Sequence, residues 1–108
     1  MAFWAFIKLP TIPNEFKDQT NGATLKKYCT KTGDRISKNS AIAYFETWWA
    51  VIELKTTEDI YIDRLFFAEP FSEISLQEND PIGTFSAEGD NIHKAKTYWD
   101  LKKHIRKK

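Results

Sequence analysis

The stretch ETWWAVIELKTTEDIYIDR, residues 46–64, decides the fold class that we expect for this chain. It is rich in aromatic and β-branched side chains, which favour the pleated surface of a strand. We therefore interpret residues 41–55 as a strand, although a helix capped by Ser40 is an alternative interpretation. The acidic turn at residues 56–59 predicts a hairpin connection to a second strand, IYIDRLFF, residues 60–67.

Further elements are predicted on both sides of this stretch. The run AFWAFIKL, residues 2–9, predicts a strand, and its apolar character on both faces indicates a central position in a sheet or one face packed on a helix. Residues 72–89 predict a second hairpin, with its turn at residues 79–81. By contrast, the spacing of the apolar residues in ATLKKYCTK, residues 23–31, indicates a short helix.

The last segment, DNIHKAKTYWDLKKHIRKK at residues 90–108, predicts a helix. Asp90 or Asn91 can cap its first turn, and an acid at the start with bases at the end suits the helix dipole. Most apolar side chains of this segment fall within about half of the helix circumference at ~100° per residue, namely Ile92, Ala95, Tyr98, Trp99, Leu101 and Ile105.

Together these elements predict an α+β fold in a single domain, residues 1–108. We expect an antiparallel sheet of about five strands with the C-terminal helix packed on one face. A small β-barrel closed by the same helix is the alternative. A chain of 108 residues can bury a substantial core without a metal or a disulfide.

The cysteine content and the hydropathy of the chain bear on its location. Cys29 is the single cysteine, so no internal disulfide framework can form, which fits a reducing compartment. No stretch approaches the ~20 apolar residues of a membrane span. The apolar start lacks the basic residues and the cleavage site of a signal peptide. We therefore expect a cytoplasmic protein without a membrane partner.

The charges are distributed unevenly along the chain, although the net charge is only +1. Residues 1–44 carry seven basic and three acidic side chains, a net charge of +4. Residues 45–90 carry two and eleven, a net of −9, and residues 91–108 carry seven and one, a net of +6. This asymmetry indicates a charged partner, unless folding lays the basic end over the acidic middle.

Motifs for catalysis or for cofactors are absent from the sequence. His93 and His104 would lie ~16 Å apart on the predicted helix at ~1.5 Å per residue, too far to share a metal ion. The single cysteine and the scattered glycines form neither a zinc motif nor a phosphate-binding loop. We therefore predict no metal, no cofactor and no enzymatic activity.

The acidic middle of the chain also carries many aromatic residues, a combination that suits a protein-binding face. We predict a small inhibitor that blocks a basic partner such as a nuclease or a toxin, as an immunity protein, an antitoxin or a phage-encoded inhibitor would. The predicted partner-binding residues are Glu46, Trp48, Glu53, Glu58, Asp59, Tyr61, Asp63, Glu69, Glu73, Glu78 and Asp80.

Two alternatives use the basic end of the chain. In the first, the predicted C-terminal helix binds nucleic acid, because basic side chains attract phosphates and rings stack on bases. In the second, copies of the chain associate through their opposite charges, and raised salt would separate them. The residues predicted for nucleic-acid binding are Lys96, Lys102, Lys103, Arg106 and Lys107.

Overall fold

The computed structural model describes residues 4–16, 22–67 and 74–104, and these ranges are mostly β-strand. Two short helical pieces accompany the strands, a 3-10 turn at Asn14–Phe16 and helix α1 at Asn91–Lys94. The strands are β1 (Trp4–Lys8), β2 (Gly22–Tyr28), β3 (Arg35–Ile36), β4 (Ala41–Glu46), β5 (Ala50–Thr56), β6 (Ile60–Leu65), β7 (Ile74–Gln77), β8 (Pro81–Ser86) and β9 (Thr97–His104).

The strands form two antiparallel sheets that share one hydrophobic core. Sheet A has the strand order β1-β8-β6-β3, and sheet B has the order β7-β2-β4-β5-β9. Strand β5 shows how the sequence directs side chains inward, because Ala50, Ile52 and Leu54 alternate along it and are fully buried. Val51 and Lys55, which alternate with them, lie on the outer face of sheet B.

The expected α+β fold with a C-terminal helix is wrong, and so is the barrel closed by that helix. Residues 91–94 form α1 alone, and residues 97–104 form β9, which pairs with β5. The ring of Trp99 packs edge-on against Phe45 in the core, at 5.2 Å between centroids. This long-range packing and the ladder to β5 outweigh a helical spacing that the sequence alone also allows.

The short helix expected at residues 23–31 is also wrong, because this segment begins as strand β2. A β-bulge explains the error. Leu25 faces Phe45 and Tyr28 faces Ala43 across the ladder, with one extra residue of β2 between them. The bulge turns both Leu25 and Tyr28 toward the core, and so it produces the three-residue spacing that resembles a helix.

The strands predicted in the middle of the chain are confirmed, but their connections differ from the expected hairpins. Residues 41–55 contain two strands, β4 and β5, instead of one, and they are joined by a turn at residues 47–49. Strands β5 and β6 belong to different sheets, and so do β7 and β8. The turn predicted at residues 79–81 is present around Asn79, which has a φ of 70°.

Strand β1 lies at the edge of sheet A, although its apolar sequence suggested a central position. Its inner side carries Ile7, which is buried, and its outer side carries Trp4 and Phe6, which are exposed. At the last residue of β1, the carbonyl of Lys8 accepts a hydrogen bond of 2.7 Å from the hydroxyl of Thr97. This contact ties the edge of sheet A to the edge of sheet B.

Tyr28 links the two sheets through the core. Its hydroxyl donates a hydrogen bond of 2.8 Å to the carbonyl of Ile82, which joins β2 of sheet B to β8 of sheet A. Burial raises the pKa of Tyr28 to about 12, and the backbone N–H groups of Phe67 and Phe66 oppose that rise less strongly. The folded protein therefore holds this proton more tightly than the unfolded chain does.

We expect the protein to lose stability in alkali through Tyr28. An exposed tyrosine has a pKa near ~10, so between pH ~10 and ~12 the unfolded chain loses its proton first. The free energy of unfolding then falls by up to about 2–3 kcal/mol across that window. Tyr28→Phe should remove this contribution and should cost about 1–2 kcal/mol at neutral pH, where the hydrogen bond is lost.

Urea unfolding at a series of pH values measures both effects. Tyr44→Phe is the matched control, because it removes a hydroxyl from the outer face of sheet B and leaves Tyr28 in place. Parallel stability curves for the native chain and Tyr28→Phe above pH ~10 would show that the hydroxyl of Tyr28 has no such role.

Candidate functional site

The structure distributes the predicted acidic face over both sheets and their turns. On sheet B, the outer side and the β4–β5 turn carry Glu46, Trp48 and Glu53. Sheet A and the corner before it carry Glu58, Asp59, Tyr61 and Asp63. The β7–β8 turn carries Glu78 and Asp80. Glu69 and Glu73 lie outside the described residues.

Basic side chains pair with two of these acids, Glu53 and Asp59. Three ion pairs are present in the described part of the chain: Lys102 Nζ to Glu53 Oε1 at 3.8 Å, Lys55 Nζ to Asp100 Oδ2 at 2.7 Å, and Arg35 Nη2 to Asp59 Oδ2 at 3.0 Å. The hydrogen bond to Asp100 raises the pKa of Lys55, which keeps its ammonium charged. Along the β5–β9 ladder, Lys102 of the basic end therefore meets Glu53 of the acidic middle, and Lys55 of the middle meets Asp100 of the end.

Lys96, Lys102 and Lys103, three of the bases predicted for nucleic-acid binding, do not share one helix face, because they lie on and beside a strand. Lys96 precedes β9, and its backbone N–H donates to the hydroxyl of Thr57 at 2.9 Å. Lys102 and Lys103 lie near the other end of β9, ~20 Å away at ~3.3 Å per residue. Arg106 and Lys107 lie outside the described residues.

A shallow pocket of about 350 Å³ lies beside the end of β2 and is lined by Lys27, Tyr28, Cys29, Thr30, Lys31, Asp34 and Tyr44. Burial raises the pKa of the Cys29 thiol, and the nearby Glu53 carboxylate adds to the rise. A protonated thiol is a poor nucleophile. Asp34 accepts hydrogen bonds from the Thr30 hydroxyl and the Lys31 N–H, so it organises the loop locally.

The most distinctive surface of the molecule is a group of exposed rings on the outer side of sheet A. Trp4, Phe6 and Phe66 are 60%, 44% and 37% exposed. The rings of Trp4 and Phe6 meet at right angles with centroids 5.2 Å apart, and Phe6 meets Phe66 at 6.3 Å. We call this surface the aromatic face, and it comprises Trp4, Phe6, Tyr61, Arg64 and Phe66.

Strand pairing places the members of the aromatic face beside one another. Ser86 lies between Trp4 and Tyr61 in one cross-strand row. Thr84 separates Phe6 from Arg64 in the next row. These small side chains of β8 leave the larger groups on either side standing above the sheet.

Phe66, at one end of the aromatic face, is held by a backbone hydrogen bond and a cation–π contact. The backbone N–H of Phe66 donates to the carbonyl of Ile82 at 3.0 Å, which anchors the chain just after β6. The guanidinium carbon of Arg64 lies 5.9 Å from the centre of the Phe66 ring, within the range of a cation–π contact.

Two acids border the aromatic face. The hydroxyl of Tyr61 donates to Glu88 at 2.9 Å, and the hydroxyl of Ser86 donates to Asp63 at 3.0 Å. Arg64 and Lys8 balance these two charges on the same sheet. The face is therefore apolar at its centre, with charges of both signs around it.

The sequence analysis missed most of this site. Of the predicted partner-binding residues that the structure describes, only Tyr61 and Asp63 lie on or beside the aromatic face, whereas Trp4 and Phe6 were assigned to a strand alone. The signal was present in the apolar character of both faces of residues 2–9. An apolar outer face is expected for a central strand under a helix, but it also marks an exposed binding surface.

The described part of the chain contains neither a group of metal-binding side chains nor a membrane-spanning helix. Within residues 4–16, 22–67 and 74–104, no three His, Cys, Asp or Glu side chains are grouped so that they could hold a metal ion. No helix in the same ranges has the length and apolar character needed to cross a membrane.

Comparison of the chain with protein-family models, curated proteins and solved structures finds no match.

Proposed function

We propose that this chain is a protein-binding module whose partner docks on the aromatic face. The observation that carries the proposal is the exposure of Trp4, Phe6 and Phe66 in one contiguous group. Single exposed apolar side chains are common, but contiguous ones on a soluble domain are typical of interaction sites. Burying such rings against a partner removes apolar area from water at about 25 cal/mol per Å².

The composition of the aromatic face resembles that of an interface hot spot. Trp, Tyr and Arg are the residue types that contribute most when interfaces are truncated. Trp4 and Phe6 lie within strand β1, and Phe66 is anchored by its backbone hydrogen bond, so the rings are held in place before binding. A preorganised surface loses less conformational entropy on association than a mobile one.

Protein is a better ligand for this face than nucleic acid. Single strands bind to rings that present their flat sides for stacking and to an excess of positive charge. Here the exposed rings form one apolar group, and Asp63 and Glu88 offset Arg64 and Lys8 at its rim. These features favour an apolar contact with a charged rim.

The narrower proposal is that the chain inhibits a basic partner such as a nuclease or a toxin. We propose that it does so in the cytoplasm and that the chain itself has no enzymatic activity. Its support is the pair of carboxylates beside the rings, because Asp63 and Glu88 could attract a basic surface toward the face. If so, Asp63→Asn should slow association at low salt and should have little effect at high salt.

We expect Phe6→Thr to weaken partner binding about 30-fold or more, because truncating a hot-spot residue costs about 2 kcal/mol or more. Threonine suits a strand, so the fold should be retained. The measurement is affinity capture from a nuclease-treated lysate of the source cells, followed by titration of the captured protein. Trp48→Ser is the matched control, because Trp48 is equally exposed but lies on sheet B.

The proposal predicts one protein that the native chain and Trp48→Ser retain and that Phe6→Thr loses. Thermal unfolding of each variant checks that the fold is intact. Equal retention by Phe6→Thr and by the native chain would show that the aromatic face is not the docking site. Capture of proteins from an untreated lysate but of none from the nuclease-treated lysate would contradict a protein partner.

A further inference from the structure

A second group of exposed residues lies on the other sheet, where β4 turns into β5. Trp48 is 52% exposed at this turn, and the ring of Trp49 meets it edge to face at 6.4 Å. This surface contains neither Trp4 nor Phe6, which lie on sheet A. It therefore needs an explanation separate from the proposed protein-binding function.

Hydrogen bonds to Thr47 hold this turn in one conformation. The buried hydroxyl of Thr47 accepts from the backbone N–H of Trp49 at 3.2 Å and from that of Ala50 at 3.1 Å. The backbone N–H of Thr47 donates to the carbonyl of Ala50 at 2.8 Å. Trp48 is thus displayed from a rigid support, which limits the entropy lost when a ligand contacts it.

Strand pairing brings the basic end of β9 to the same edge of sheet B. Val51 pairs with Lys103, and Ala50 pairs with the backbone of His104, so β9 ends beside the tryptophan turn. Lys102 and Lys103 are exposed, and Lys102 makes only a long contact of 3.8 Å with the carboxylate of Glu53.

We infer that the tryptophan turn and the basic end of β9 form a binding site for single-stranded nucleic acid. An exposed indole on a turn beside a strand end with two exposed lysines offers both contacts that a single strand needs, because a base can stack on the ring while lysines contact the phosphates. A duplex is a poorer ligand, because its base faces are hidden by stacking. No sequence preference is expected, since stacking accepts every base.

The charges around the turn predict weak, salt-sensitive binding. Glu46 lies in the same cross-strand row as Lys103, separated from it by Val51, and its carboxylate opposes phosphate there. We therefore expect a dissociation constant in the range of about 1–100 μM at physiological salt, which is typical of non-specific binding. The affinity should rise steeply as the salt concentration falls.

The test is a fluorescence-anisotropy titration of a labelled oligothymidylate of about 12 nucleotides with the full chain. Trp48→Ala should raise the dissociation constant about 5- to 100-fold, and Trp48→Phe should restore part of the affinity. Lys103→Gln should lower the slope of log K against log salt by about 0.7. Polyglutamate of equal charge serves as the competing polyanion.

Phe6→Thr separates this inference from the proposed function. This variant should lose the protein partner and bind the oligonucleotide as the native chain does, whereas Trp48→Ala should show the reverse pattern. Three results would overturn the inference: no oligonucleotide binding at low salt, equal affinity of the native chain and Trp48→Ala, or displacement by polyglutamate at the same concentration as by unlabelled oligonucleotide.

Discussion

Replacing Phe45 with alanine should lower the free energy of unfolding by about 3–5 kcal/mol, the usual cost of truncating a buried aromatic side chain. Phe45 is fully buried in β4, the central strand of sheet B. Leu25 and Ile52 flank it in the ladder, and the ring of Trp99 packs against it edge-on. A cavity at this position therefore removes contacts with three other strands, β2, β5 and β9.

Urea unfolding followed by circular dichroism measures this loss. Phe6→Ala is the matched control, because the same side chain is removed from an exposed position, and we expect a change below about 1 kcal/mol there. Domains of this size have about 5–15 kcal/mol of stability, so Phe45→Leu provides a milder variant if Phe45→Ala does not fold. A loss below ~1.5 kcal/mol for Phe45→Ala would show that the core collapses around the cavity.

Replacing Gly83 with alanine should cost about 2–3 kcal/mol through a steric clash. Gly83 lies in β8, where Ile7 of β1 and Leu65 of β6 flank it. An added Cβ atom would lie 2.3 Å from the backbone carbonyl oxygen of Arg64 and 3.3 Å from a methyl group of Leu65. A backbone atom cannot swing aside like the end of a side chain, so the two strands must separate.

Hydrogen exchange of the β6 and β8 amides, together with urea unfolding, tests this expectation. Thr84→Ala is the control, since it changes the next residue of β8 without a clash between backbones, and we expect about 1 kcal/mol or less. The Gly83→Ala variant should also weaken binding at the aromatic face, because β8 holds β1 and β6 side by side. Unchanged exchange in β6 and β8 would mean that the strands accommodate a methyl group.

The two proposed binding surfaces lie on different sheets, which makes their functions separable. The aromatic face is apolar with a balanced rim, whereas the tryptophan turn lies beside two exposed lysines of β9. A change of salt concentration should therefore affect oligonucleotide binding much more than the apolar part of partner binding.

The charge map shows most clearly how a sequence pattern can be redirected by folding. The counts along the chain are correct, and they predicted a strongly acidic face if the acids remained together. Glu53 of the acidic middle instead lies beside Lys102 of the basic end in the β5–β9 ladder. Cross-strand pairing therefore brings the basic end onto the acidic middle, and charge counts along a chain carry no information about such pairs.

The sequence by itself determined the local features of this protein: the strand character of residues 41–67, the turn at Asn79, and the alternation that buries Ala50, Ile52 and Leu54. These features depend on neighbours within a few residues. Tertiary structure alone decided that β5 and β6 belong to different sheets and that β9 is a strand. The physical reason is that ladder pairing, bulges and core packing are contacts between distant residues, and they outweigh local spacing.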